Sequence, residues 1–133
     1  MAINFDKAFG MHQHTVGVRA KRAEVLANNI ENADTAGFKA QYLDFKTALQ
    51  SAHSKYGITM DQTHSNQRFS ASGSQSGLGL QFRVSTQPDV GDGNSVDADM
   101  ERTQFMRNSM EYQASLDFLN SKISGLRKAI KGQ

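Results

Sequence analysis

The chain has 133 residues, a net charge of +2, 38% apolar residues, one proline and neither cysteine nor tryptophan, which fits one domain without a disulfide framework, a zinc–thiolate site or a cysteine nucleophile. No apolar run approaches the roughly 20 residues that span a bilayer. Leu, Ile, Val and Phe together number 27, close to the fraction below which chains stay disordered, so a core completed by partner chains is expected.

The first residues, Met1 to Phe9, have no basic start leading into an apolar stretch, so no cleaved secretory signal is predicted. A helix is predicted from Phe5 to Asn32. Phe9, Val16, Ala23 and Ile30 recur every seven residues, and Phe5, His12, Arg19, Leu26 and Ala33 fill the companion positions. Two of those companions are polar, and Gly10 and Gly17 each weaken the helix by up to about 1 kcal/mol. At ~1.5 Å per residue the helix would run about 40 Å, more than a small globule covers.

At its end, Asn28 and Asn32 lie four apart and share a face, so their amides can bond a neighbouring helix or backbone. Asn32 and Asp34 suit a helix terminus, and Gly37 suits a turn with positive φ.

Residues 51–95 hold six Gly and nine Ser, a composition that predicts loops. Leu78, Leu80, Phe82 and Val84 alternate with Gly79, Gln81 and Arg83, the period-2 pattern of a half-buried strand and the only strand expected. The run Gly73 to Gly79 lacks the Lys-Ser/Thr of a phosphate loop and reads as a turn or linker. In the acidic run Asp89 to Asp99, a calcium loop starting at Asp92 puts Val96 at its fifth position and Asp97 where its glycine belongs. Asp92-Gly93 is therefore read as a turn and Asp97 as a helix cap.

The last predicted helix carries the strongest pattern. Phe105, Ser109, Tyr112, Leu116, Leu119, Ile123, Leu126 and Ile130 follow alternating steps of four and three, broken in polarity only by Ser109. Asp97 as N-cap, Asp99 and Glu101 in the first turn, Arg127, Lys128 and Lys131 in the last and Gly132 after it match the helix dipole. Met100, Met106 and Met110 widen the apolar face. The expected fold is mainly α: two long terminal helices pairing as one coiled-coil-like domain, with a loop-rich centre containing a short β element. Composition divides the chain at 1–50, 51–95 and 96–133. A two-helix pair leaves apolar surface for other chains to cover.

No chemistry-bearing constellation emerges. His12 and His14, two apart, point to different faces of a helix, and His53 and His64 have no carboxylate at ligand spacing. No Ser, His and Asp arrangement stands out. Charge is spread evenly, with Arg19, Lys21 and Arg22 the densest cluster, so no nucleic-acid footprint is expected despite a pI near 9.0. No catalytic residue, metal or cofactor is predicted.

One stretch is more specific: Leu26-Ala-Asn-Asn-Ile-Glu-Asn-Ala-Asp-Thr-Ala-Gly-Phe-Lys39. It closely resembles the signature that bacterial flagellar rod and hook proteins carry at the end of their first helix. Leu26, Ala27, Asn28, Asn32, Thr35, Gly37, Phe38 and Lys39 match, while Ala36 stands where those proteins usually have Pro. Arg19 to Leu26, Tyr42-Leu-Asp-Phe45, Asp92 to Asp97 and Glu101 to Gln104 extend the resemblance toward the short proximal-rod members; the centre is similar only around Thr63 to Asn66.

The resemblance implies a non-enzymatic subunit of the flagellar basal body, in the periplasmic proximal rod. Its terminal helices would pack with copies of itself and with other rod proteins, joining the membrane ring, rod-adaptor and export-gate proteins to the drive shaft and transmitting torque. It would leave the cell through the flagellar type III apparatus without signal cleavage, and no segment of it would cross a membrane. The interface residues so implied are Leu26, Asn28, Asn32, Gly37 and Phe38 with the seam Tyr112, Leu116, Leu119, Ile123, Leu126 and Ile130; the seam Phe9, Val16, Ala23 and Ile30 joins them by its periodicity. A neighbouring proximal-rod component, and a cytoplasmic coiled-coil adaptor or export chaperone forming a stable dimer, are the alternatives.

Overall fold

The computed structural model describes residues 8–55, 79–83 and 91–132. Phe5, the run 73–77, Leu78, Val84, His64, the stretch 63–66 and Asp89 lie outside them. The described residues form three helices and a two-stranded sheet: α1 (Met11–Glu31), β1 (Gln41–Leu43), α2 (Phe45–Lys55), β2 (Leu80–Phe82) and α3 (Ala98–Lys131). The mainly helical architecture with long terminal helices matches the expectation.

Gly10 divides α1 from the helical residues Ala8 and Phe9 by taking φ +55°, so the glycine that weakens the predicted helix in fact interrupts it. Gly17 stays within the helix. The boundaries of α3 follow its caps. The Asp97 carboxylate accepts from the backbone N–H groups of Asp99 and Met100, and Gly132 closes the other end at φ 72°. Replacing Asp97 with alanine leaves those donors orphaned, and chemical denaturation is expected to show a loss of about 1 kcal/mol.

The sheet corrects the expectation of a single strand. β2 pairs antiparallel with β1, in the register Gln41–Phe82, Tyr42–Gln81 and Leu43–Leu80. Three residues, Gln-Tyr-Leu, are too few to display an alternating pattern, so β1 carries no period-2 signal of its own. The helix α2, also unanticipated, follows directly and crosses the compositional boundary at residue 50. Asp44 anchors its start: its carboxylate accepts from the Thr47 hydroxyl and the Lys46 N–H. Those donors, the Thr47 hydroxyl foremost, hold the Asp44 carboxyl below its ordinary value of 3.8. The anchor's contribution is therefore complete above about pH 4 and fades as pH falls through the lowered value. Gly79, at φ 70°, comes so close that a Cβ there would stand 3.3 Å from the Asp44 carbonyl and from the Thr47 side chain. Its carbonyl accepts from the Asp44 N–H at 3.1 Å, so only glycine suits this corner.

Val18, Leu43 and Ala48 form the small apolar core, with Phe45, Leu49, Ala52 and Leu80 packed on it. α1 is thus shared between two partners: one face meets α2 and the sheet, the other meets α3.

Candidate assembly interface

The cross-helix contacts run in opposite directions along the two terminal helices. His12 lies beside Phe118 with ring centroids 6.4 Å apart. Arg19 pairs with Glu111, Arg22 donates to Gln104 at 3.2 Å, and Asn29 donates to Glu101 at 3.1 Å. As the α1 number rises the α3 number falls, so the pair is antiparallel.

The residues of α3 buried against α1 are Glu101, Asn108 and Ser115, a heptad line made entirely of polar side chains. The expected apolar seam does not occupy that line. Phe105, Tyr112, Leu116, Leu119, Ile123 and Leu126 are half-buried, Ser109 is exposed and Ile130 is 87% exposed. At 3.6 residues per turn, the buried line lies about 50° around the helix from the centre of the apolar seam. The seam's own heptad spacing is compatible with either orientation. What turned α3 is the set of polar bonds. Asn108 donates its amide to the Arg19 carbonyl at 3.0 Å, and Glu101 pairs with Arg83 and accepts from Asn29; the Ser115 hydroxyl is satisfied within α3 itself, on the Glu111 carbonyl at 2.8 Å, and tolerates burial without fixing the rotation. The Asn108 N–H and the Glu101 carboxylate would be costly to bury unpaired.

α1 shows the same displacement. Val18, Val25, Leu26 and Asn29 are its buried residues, while Phe9, Val16, Ala23 and Ile30 are only half-buried. His12, a companion position, is exposed; Arg19 is half-buried, stacked 4.3 Å over the Phe45 ring. Of the predicted apolar α1 positions, Leu26 alone is buried.

Asn29 is the residue the sequence reading passed over. Its amide donates to the Gln41 carbonyl at 2.7 Å and to Glu101, and its carbonyl oxygen accepts from the Gln41 N–H at 3.0 Å. One fully buried side chain therefore ties α1, β1 and α3 together. The expected neighbour-bonding residues, Asn28 and Asn32, bond each other instead: Asn32 donates to the Asn28 carbonyl at 2.8 Å and to its side chain at 3.1 Å. With three asparagines within five residues, Asn28, Asn29 and Asn32, the sequence carries no signal for which amide faces inward.

The signature turn is built as read. Asn32 ends α1, the Thr35 N–H reaches the Asn32 carbonyl at 3.1 Å, and Gly37 takes φ 74°. The two motif stretches, 26–39 and 92–97, meet here. The Gly37 N–H donates to the Asp92 carbonyl at 2.8 Å, and Ser95 N–H to the Phe38 carbonyl at 3.0 Å. The Asn94 amide donates to the carbonyls of Asn32 and Ala33 at 3.2 and 2.6 Å, satisfying the end of α1. Lys39 donates to the Gly93 carbonyl at 2.7 Å. Asp92 accepts the Asn94 N–H at 2.9 Å, the turn expected for Asp92-Gly93. Phe38 is half-buried in this junction, whereas Asn28 and Gly37 are exposed.

Among the described residues no three His, Cys, Asp or Glu side chains converge on a metal-sized site, and no helix is long and apolar enough to cross a membrane. What the geometry offers is surface. Met106, Met110, Phe118 and Ile130 are each more than 60% exposed on α3, an unusual load of large apolar side chains for one free helix.

A family profile described as "Flagella basal body rod protein" matches residues 18–39, the stretch that runs from within α1 through the signature turn. The chain is 55% identical over 133 residues to the flagellar basal body rod protein FlgB of Aeromonas hydrophila, covering 100% of this chain and 99% of the relative. It is 39% identical over 139 residues to FlgB of Escherichia coli K12, with 98% of each covered. With FlgB of Salmonella typhimurium it shares 36% over 137 residues, 99% of each.

Proposed function

The chain belongs to the FlgB family of flagellar basal-body rod proteins, and from that membership we propose that it polymerises through its terminal helices as a non-enzymatic subunit of the proximal rod. It is a structural component of the basal-body rod. In the finer reading it stands in the periplasm with copies of itself and other rod proteins, joins the membrane ring, rod-adaptor and export-gate proteins to the drive shaft, and passes torque along helix–helix contacts. It arrives there through the flagellar type III apparatus without signal cleavage.

The observation that supports this reading best is the incomplete burial of α3. The helix is 34 residues long against 21 in α1, and by the antiparallel register Met11 stands near residue 119. The last three turns extend past that point with Ile123 and Leu126 half-buried and Ile130 exposed. Apolar residues at heptad spacing on a helix face that the described residues cover only in part gain free energy, at about 25 cal/mol per Å², when another subunit covers them.

An epitope-tagged chain expressed in a flagellated bacterium lacking its own copy tests the reading. The tag is expected in purified basal bodies, together with restored swimming. A tagged chain that stays in the cytoplasm as a stable dimer, absent from basal bodies, would favour the adaptor or chaperone alternative.

A further inference from the structure

Beside the α1–α3 interface lies an open groove of about 530 Å³. Three arginines line it, Arg22 from α1, Arg83 just after β2 and Arg107 from α3, over Tyr42 and Met100. The charges around it do not balance. Arg83 is held by Glu101, while Glu111 serves both Arg19 and Arg107. The bond described for Arg22 goes to the neutral amide of Gln104. Among the described residues, four arginines against two carboxylates leave two positive charges in excess, and the Arg107 side chain is 70% exposed.

The opposite excess sits on the signature turn. Glu31, Asp34 and Asp92 are exposed, and among the described residues none of the three takes part in an ion pair. Among the described residues, Lys39 is the one cation bonded into this turn, through the Gly93 carbonyl, so within them the turn is short of positive charge by two. Arg22 and Glu31 are nine residues apart on one rigid helix, about 13 Å along its axis. The turn therefore cannot fold back into its own groove.

We propose that the arginine groove receives the acidic turn carrying Glu31, Asp34 and Asp92 of a second copy of this chain. Carboxylates meet guanidinium groups in the geometry that favours paired hydrogen bonds, with Tyr42 and Met100 as an apolar floor. Groove and turn are different patches, so the contact is head-to-tail and propagates as a helical array unless its rotation closes a ring. The proposal rests on the rod reading and adds to it a specific contact between copies.

Because the chain has no cysteine, two singly substituted copies report only contacts between molecules. Ala36→Cys lies on the turn beside Asp34, and Thr103→Cys lies one helical turn before Arg107; both positions are exposed. The two copies are co-expressed in the deletion strain and oxidised in purified basal bodies. A disulfide-linked dimer is expected from the pair, and none from either copy alone. Adding Arg107→Glu to the Thr103→Cys copy should lower its yield roughly tenfold, and adding Asp34→Arg to the other copy should restore it to within about twofold. Basal bodies that contain both copies yet give no dimer overturn the contact and leave the rod reading standing. A cross-link from the Thr103→Cys copy to a different rod protein does the same. Basal bodies without either copy would overturn the rod reading itself, and the contact with it.

Discussion

Replacing Glu101 with alanine is expected to destabilise the chain by about 3–5 kcal/mol, a large share of the total stability of a domain this size. Glu101 is fully buried. Its carboxylate holds Arg83, whose side chain is only 20% exposed, and accepts from the buried Asn29 amide. Alanine would leave a mostly enclosed guanidinium without its counter-charge and one of the two Asn29 amide hydrogens without its acceptor, besides a cavity. Because Arg83 follows β2 and Asn29 holds β1, the sheet would loosen with the helix pair. Glu101→Gln retains the shape and an acceptor for Asn29 while removing the charge, so it should fall between wild type and alanine. Urea midpoints of the three proteins check this order. If both variants lay within about 1 kcal/mol of wild type, the polar clamp would not hold the fold.

The second large effect is on assembly alone. Ile130→Asp is expected to abolish rod formation and swimming while shifting the stability of the isolated chain by no more than about 0.5 kcal/mol. The side chain is 87% exposed, so a charge there costs the free subunit little, but in a covered seam it would be buried without a partner. Leu119→Asp would also block assembly but is a poorer probe, because Leu119 is already half-buried within the subunit and part of its effect would be misfolding. Swimming assays and basal-body purification, set beside denaturation of the free chain, separate the two causes. A swimming Ile130→Asp strain would remove the end of α3 from the assembly surface.

Much of what lies at chain ends and turns was legible in the residues, because local chemistry decides it. Asp97 and Gly132 bound α3 through bonds made within one helical turn. Gly37 and the Asp92-Gly93 turn follow from backbone preferences that need no distant partner. The signature stretch, at fixed spacing, pointed to the family that full-length relatives establish. Less legible was whatever depended on a second segment. β1 became a strand because β2 was there to pair with it, and α2 formed on a start fixed by Asp44 and the close approach of Gly79.

The rotation of the terminal helices shows the boundary between the two most clearly. Periodicity alone established that residues 105–130 form a long helix with an apolar line, and that the line is too extensive for a chain with so thin a core. It could not establish which line faces inward. That was decided by Arg83, Arg19 and Asn29, which lie 18 to 92 residues away from Glu101 and Glu111 in sequence and become their neighbours only in the folded chain. A buried carboxylate must have its partners, whereas an apolar side chain can wait for another subunit. The polar residues therefore claim the interior of the pair, and part of the heptad seam that marks the chain as a piece of something larger is left turned outward.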